Sequence, residues 1–203
     1  MAMTNPLRHR HSDTGHHLEA DPREGRSEST MPTTPVDRVL AGLRIAFGLT
    51  FLWAFLDKLL ALGFHTGYGP DGTLDRFGDA AWVNGGSPTE GFLAYGADGP
   101  LEGVYHSIAG AAWADWLFML GLLGIGTALT LGVGMRAAAA SGALLYVLMW
   151  SVVLPPENNP VLDDHLLAAL TLVVLALLHA GDTWGLGRRW AVTGVVRRAP
   201  WLR

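Results

Sequence analysis

The sequence contains no cysteine, and this absence excludes several classes of function. A chain without thiols forms no disulfide, no thiolate-bound zinc site, no iron–sulfur cluster and no thioether link to haem. Cysteine-based nucleophilic catalysis is excluded for the same reason. Electron transfer through this chain would therefore require a second subunit or a non-covalently bound cofactor.

Charged residues are scarce as well, at 16% of the 203 residues, against about 25% in soluble domains. Hydrophobic residues account for 50%, and between Trp116 and Leu154 the sole formal charge is Arg136. The net charge is −4 and no basic run is dense, so nucleic acid is excluded as a partner. This composition is typical of a protein whose partner is a lipid membrane.

Four apolar segments of 18 to 24 residues follow residue 38. They are residues 39–62, 116–134, 137–154 and 162–180. About 20 residues are needed to cross about 30 Å of hydrocarbon, so each segment is a candidate transmembrane helix. Short connectors at 135–136 and 155–161 make sequential helices antiparallel. The sequence therefore predicts an all-α membrane protein, a four-helix up-down bundle.

The distribution of arginine predicts the orientation of this bundle. Five arginines precede the first span and five follow the fourth, whereas Arg76 is the single basic residue in the connections 63–115 and 155–161. Cytoplasmic segments are enriched in Lys and Arg. We therefore expect a multi-pass plasma-membrane protein with both termini in the cytoplasm: a disordered polar tail at 1–37, a membrane domain at 38–187 and a basic tail at 188–203.

The connection at 63–115 is too long for a plain loop, and we expect it to be structured. Ser87-Pro88-Thr89-Glu90 has the pattern of a capping box with proline at the first helical position. The stretch 100–106 predicts a second short helix. The sequence thus indicates a folded outer loop between the first and second spans.

Ionisable residues inside the predicted spans are functional candidates, because charge within a membrane is costly. Arg44 and Lys58 are fourteen residues apart in span one, as are His165 and His179 in span four. Fourteen residues turn a helix through about 1400°, close to four full turns, so each pair shares a face. If spans one and four pack antiparallel, Lys58 approaches His165 on the outer side and Arg44 approaches His179 on the inner side.

The outer polar layer contains more ionisable residues than the inner one. They are Asp57, Lys58, Asp163, Asp164 and His165. A set of carboxylates, an ammonium and an imidazole can donate to a carbonyl oxygen and relay a proton. A quinone head group requires such partners. These five residues are therefore the candidate catalytic set.

An aromatic stripe below the outer layer suggests where the rest of a quinone would lie. Phe51 and Phe55 are candidate contacts for the ring or its isoprenoid tail, and Arg44 is a candidate contact in the inner layer. Two structural alternatives stay open. Lys58 can extend to the lipid headgroups, and Asp57 can be its ion-pair partner.

Haem and metal sites are not expected. Bis-histidine haem requires two histidines on facing helices at one depth, and span four supplies a single histidine to each layer. No ligand-spacing motif for zinc is present. A quinone is thus the one cofactor for which the sequence offers candidate ligands.

Three stretches in order resemble the DoxX family of small membrane proteins, and its DoxD-like branch. They are Leu43-Arg44-Ile45-Ala46-Phe47-Gly48-Leu49-Thr50-Phe51 with Asp57-Lys58-Leu59 after it, Asn84-Gly85-Gly86-Ser87-Pro88-Thr89-Glu90-Gly91-Phe92-Leu93, and Asn159-Pro160-Val161-Leu162-Asp163-Asp164-His165-Leu166. The resemblance covers about residues 38–190.

The resemblance implies a four-helix membrane bundle with recurrent polar positions at Arg44, Lys58, Asp163 and His165. One branch of the family is similar to the large subunit of thiosulfate:quinone oxidoreductase, which passes electrons from thiosulfate to membrane quinone in a respiratory chain. The resemblance therefore implies a subunit of a quinone-linked oxidoreductase, acting with a second subunit or as a homo-oligomer. The alternative is a non-catalytic membrane anchor or assembly partner for a redox enzyme.

Overall fold

The computed structural model describes residues 33–69, 71–157 and 159–203. Most of the tail expected at 1–37 lies outside these residues. Within them the chain is helical and contains no strand. The helices are α1 (Pro35–Leu60), α2 (Glu90–Tyr95), α3 (Glu102–Ile108), α4 (Ala112–Leu131), α5 (Met135–Val152), α6 (Asp164–Leu177), α7 (Gly187–Ala191) and α8 (Gly194–Arg198).

Three of these helices are long and apolar enough to cross a membrane: α1 with 26 residues, α4 with 20 and α5 with 18. This confirms the all-α class and indicates a multi-pass membrane protein. Helix α6 is apolar but has 14 residues, about 21 Å at 1.5 Å per residue. The segment predicted at 162–180 is therefore helical over a shorter length than a full span.

Local capping explains where the helices begin and end. Thr34 and Asp37 form a reciprocal capping box with Pro35 at the first position, so α1 begins four residues before the predicted span. Helix α4 ends at Gly132, whose φ of 71° is a left-handed conformation that glycine adopts without strain. Helix α6 ends before His179, which has a φ of 51°.

Helices α1 and α4 pack antiparallel at very short range. A Cβ atom on Gly48 of α1 would lie 2.7 Å from the backbone nitrogen of Thr130, near the end of α4. A Cβ on Gly126 would lie 2.9 Å from the backbone nitrogen of Leu52. Small residues at helix contacts permit this approach in membranes. Helix α5 in turn packs beside α4 and along α6.

The core lies between these four helices, while the outward faces stay apolar. Buried core residues are Phe51, Met119, Leu122, Leu129, Leu172 and Leu175. Exposed residues on the same helices include Leu117, Leu120, Leu131, Leu144, Leu167, Leu170 and Leu177. Apolar side chains on both the inner and the outer faces of a helix are expected where lipid is the solvent.

The loop between α1 and α4 is folded, and a buried carboxylate anchors it. Asp115 on α4 accepts hydrogen bonds from the Ser87 hydroxyl at 2.8 Å and from the Thr89 hydroxyl at 2.6 Å. The Ser87 hydroxyl also accepts from the Glu90 N–H at 3.1 Å. The predicted capping box is nevertheless wrong in register, because α2 begins at Glu90 with Thr89 as its N-cap residue, and Pro88 lies in the turn before the helix. The second predicted helix is α3.

At the opposite end of the bundle, the guanidinium of Arg44 is fully buried. It donates to the carbonyl oxygens of Leu129 and Thr130 in the last turn of α4. It also donates to Thr183 at 3.3 Å and to Trp184 at 3.0 Å, in the chain that follows α6. One side chain thus ties α1 to the end of α4 and to the C-terminal segment.

Arg44→Met should destabilise the protein, because the change leaves four inward-facing carbonyl groups without this donor. We expect a loss of about 3 kcal/mol, seen as a thermal midpoint lower by roughly 6–12 °C in detergent. Arg38→Met, at an exposed position of the same helix, is the matched control and should leave the midpoint unchanged. Equal midpoints for the two variants would show that the guanidinium contributes little.

Candidate functional site

The start of α6 joins two of the predicted site residues. Asp163 is the N-cap residue, and its Oδ1 accepts from the Leu166 N–H at 3.1 Å. Its Oδ2 lies 2.6 Å from Nδ1 of His165. The side chains stay partly accessible, at 16% for Asp163 and 26% for His165. The cap of the helix is therefore also the partner of the imidazole.

This contact determines what the imidazole can do. A carboxylate oxygen only accepts, so Nδ1 of His165 carries the proton in the 2.6 Å hydrogen bond. Nε2 is then the nitrogen left for another partner. It accepts a proton when the ring is neutral and donates one when the ring is cationic, as in a general acid–base group.

Tyr146 on α5 packs next to this pair, and sequence reasoning missed it. Its ring centroid lies 6.2 Å from that of His165, 5.4 Å from that of Phe51 and 6.3 Å from that of Phe47. It is the one tyrosine inside the predicted spans. A single tyrosine among apolar residues was the feature of the sequence that could have identified Tyr146 as a candidate.

Lys58 and Asp57 do not join this group by hydrogen bonds. The Lys58 ammonium lies 6.0 Å from the ring centroid of Phe118 on α4. Asp57 is 2% exposed and accepts from the backbone N–H groups of Phe64 at 3.1 Å and His65 at 3.0 Å. Among the described residues no ion pair joins Asp57 to Lys58 within 4.0 Å. Asp57 thus holds the chain that leaves α1.

Asp164 is exposed and, with Asp163, lines an open cleft of about 780 Å³. The cleft lies between the residues that follow α2 and the chain that links α5 to α6. Its lining combines carboxylates with apolar groups: Tyr95, Asp98, Val153, Pro155, Pro156, Glu157, Leu162, Asp163, Asp164 and Leu167. Its carboxylates make this mouth acidic.

Phe51 and Phe55, predicted as contacts for a quinone, pack in the core between the helices. Phe51 is 4% exposed in the core, and Phe55 packs against the same cluster. Arg44 is occupied by backbone carbonyl groups. His179 is exposed, and no hydrogen bond links it to Arg44 within the part of the chain that the structure describes. The open cleft thus lies at the start of α6, whereas the Arg44 guanidinium at the other end of the bundle is enclosed.

Over residues 33–69, 71–157 and 159–203, no three His, Asp or Glu side chains come together as metal ligands. The two side chains with polar hydrogen-bonding groups that pack together here are the imidazole of His165 and the phenol of Tyr146. These groups are hydrogen-bond partners suited to a neutral carbonyl compound.

Comparison with known proteins shows no family model, no curated protein and no solved structure that matches this chain.

Asp163→Ala should loosen the start of α6 and free the imidazole. Loss of an N-cap costs about 1 kcal/mol, or roughly 2–4 °C in thermal midpoint. The nitrogen NMR signals of His165 should lose the preference for a proton on Nδ1. Asp164→Ala, one residue further and exposed, should change neither measurement. If both variants behave like the wild type, the 2.6 Å contact is absent in solution.

Proposed function

We propose that this chain is a DoxX-like membrane subunit of a quinone-linked oxidoreductase, with the quinone head group held at the outer layer beside His165. The observation that carries the proposal is the 2.6 Å hydrogen bond between Asp163 and His165 at the mouth of an apolar helical bundle. It fixes the imidazole and leaves Nε2 for a substrate oxygen. Partial exposure of both side chains gives access from the membrane surface.

The proposal includes a four-helix up-down bundle in the plasma membrane, with α6 as the fourth span and both termini in the cytoplasm. Support comes from the antiparallel contact of α1 with α4 and from the three-residue turn between α4 and α5. Helix α6 packs along α5. The residues after α6, which include Leu178 and the 3₁₀ turn Ala180–Asp182, would complete the crossing at the inner surface.

The residues of this chain would bind and protonate the head group. A bound quinone supplies two-electron, two-proton redox chemistry. His165 in its cationic form would donate from Nε2 to a quinone carbonyl oxygen, while Asp163 holds the ring. Tyr146 would flank the ring plane, and Lys58 would act as a second donor from α1. Electrons would come from a partner subunit, with thiosulfate as the donor that the family resemblance suggests.

A specific observation favours the second candidate, a non-catalytic anchor or assembly partner. All three buried charged side chains of the described residues, Arg44, Asp57 and Asp115, form hydrogen bonds with groups of the chain itself. Charges used in this way stabilise a fold and leave no chemistry for a substrate. In this role the outer loop or the small-residue faces would hold a soluble enzyme.

The quinone proposal is tested by titrating a short-chain quinone into the detergent-purified full chain. We expect saturable binding in the wild type and loss of binding, by tenfold or more, in Lys58→Ala/His165→Ala. His106→Ala, at a histidine in the outer loop, is the control and should bind like the wild type. The single variants separate the contribution of Lys58 from that of His165.

Absence of binding in the wild type would remove the quinone site from this chain and support the anchor role. Binding that survives the double substitution would place a quinone elsewhere on the protein. A detergent-purified chain that reduces quinone with thiosulfate alone would contradict the requirement for a partner subunit.

The orientation is tested with single cysteines, since the natural chain has none. Ala80→Cys in the outer loop should react with a membrane-impermeant maleimide in intact cells. Val192→Cys, exposed near the C-terminus, should react after permeabilisation and not before. Labelling of the second variant in intact cells would reverse the proposed orientation.

A further inference from the structure

The basic segment expected as a tail at 188–203 is folded. Helices α7 and α8 and a 3₁₀ turn at Pro200–Leu202 form a compact unit. The indole N–H of Trp190 donates to the Leu202 carbonyl at 2.8 Å, and Thr193 caps α8. Val196 is 5% exposed and faces inward. The arginines of this segment are therefore presented by a defined surface.

This unit is attached to one end of the helical bundle. The Leu186 N–H donates to the carbonyl of Leu131, the last residue of α4, at 2.8 Å. Arg203 forms an ion pair with Asp182 at 3.4 Å. The 3₁₀ turn also contacts α5, which begins at Met135. Because α4 and α5 have membrane-spanning length, their shared end lies at a membrane surface.

The exposed side chains of the unit combine positive charge with apolar groups. Residues 186–203 contain five arginines and no acid. Four of them are exposed and form no hydrogen bond or ion pair with any described residue: Arg188, Arg189, Arg197 and Arg198. Beside them Val192, Val195 and Trp201 are exposed by 71%, 55% and 63%.

We propose that residues 186–203 form a binding surface for the headgroups of anionic phospholipids. The guanidinium groups of Arg188, Arg189, Arg197 and Arg198 would pair with lipid phosphates. Trp201 would enter the boundary between headgroups and acyl chains. Continuity with the ends of α4 and α5 selects a lipid over a soluble partner, since the surface borders the bilayer. The inference depends on membrane insertion and is independent of the quinone proposal.

The test compares binding of phosphatidylglycerol and phosphatidylcholine, with identical acyl chains, to the purified full chain in a neutral detergent. Native mass spectrometry gives the concentration of each lipid at half-saturation. The wild type should prefer phosphatidylglycerol. Each basic residue near an anionic surface strengthens binding about fivefold, so R188Q/R189Q/R197Q/R198Q should lose at least about tenfold of its affinity for this lipid. Its binding of phosphatidylcholine should not change.

The control variant R8Q/R10Q/R23Q/R26Q removes the same charge from the N-terminal region and should keep the preference. Replacing the same four C-terminal arginines with lysine should preserve most of it, because the charge remains. Helix content and thermal midpoint should be unchanged in the C-terminal variants, since the substituted side chains are exposed. If the quadruple variant cannot be purified, R197Q/R198Q tests the same surface with half the change.

Three results would overturn the proposal. The first is a wild type that binds both lipids equally. The second is an equal loss of affinity in the N-terminal control, which would indicate non-specific attraction of charge. The third is displacement of phosphatidylglycerol by millimolar inorganic phosphate, which would indicate a site for a soluble anion.

Discussion

A buried guanidinium hydrogen-bonded to carbonyl oxygens holds together the end of the bundle at which α4 stops and α5 begins. The last carbonyl groups of a helix have no partner within the helix and carry partial negative charge. In an apolar environment such groups are costly unless a donor reaches them. Arg44 supplies donors to two carbonyls of α4 and to two in the chain after α6. No carboxylate is required, because the peptide dipoles balance the charge.

This requirement also explains the glycines around Arg44. A Cβ atom on Gly132 would lie 2.9 Å from one terminal nitrogen of the guanidinium, and one on Gly185 would lie 3.1 Å from the other. Only residues without a side chain let the two carbonyl-bearing segments close around the cation. At the opposite end of the bundle, buried carboxylates are the acceptors and groups of the chain are the donors. Asp57 and Asp115 accept hydrogen bonds from N–H and hydroxyl groups of the loop between α1 and α4.

Apolar runs predicted the locations of the membrane-length helices because hydrophobic length is a local property. The ends were displaced by a few residues, since they depend on caps such as Thr34 and Gly132. The role of Asp115 could not be predicted from the sequence, because its partner Thr89 is 26 residues away in the chain. The contact of Asp163 with His165 could be predicted from the sequence, because the two residues are two positions apart. Lys58 was expected beside His165 on the assumption that spans one and four pack antiparallel. A shared helical face does not determine which side chains of another helix it contacts, and the Lys58 ammonium lies over the ring of Phe118 on α4.

The distribution of polar groups limits where a ligand can enter. Phe51, Leu172 and Leu175 close the core between the helices, so a flat ring has no path through the middle of the bundle. At the end of α4, Arg44 fills the space between the helices, and residues 186–203 pack nearby. At the start of α6 the partly exposed Asp163 lines an acidic cleft and also holds His165, whose ring packs beside that of Tyr146. Carboxylates at the cleft repel anions, whereas a neutral ligand meets no such electrostatic barrier.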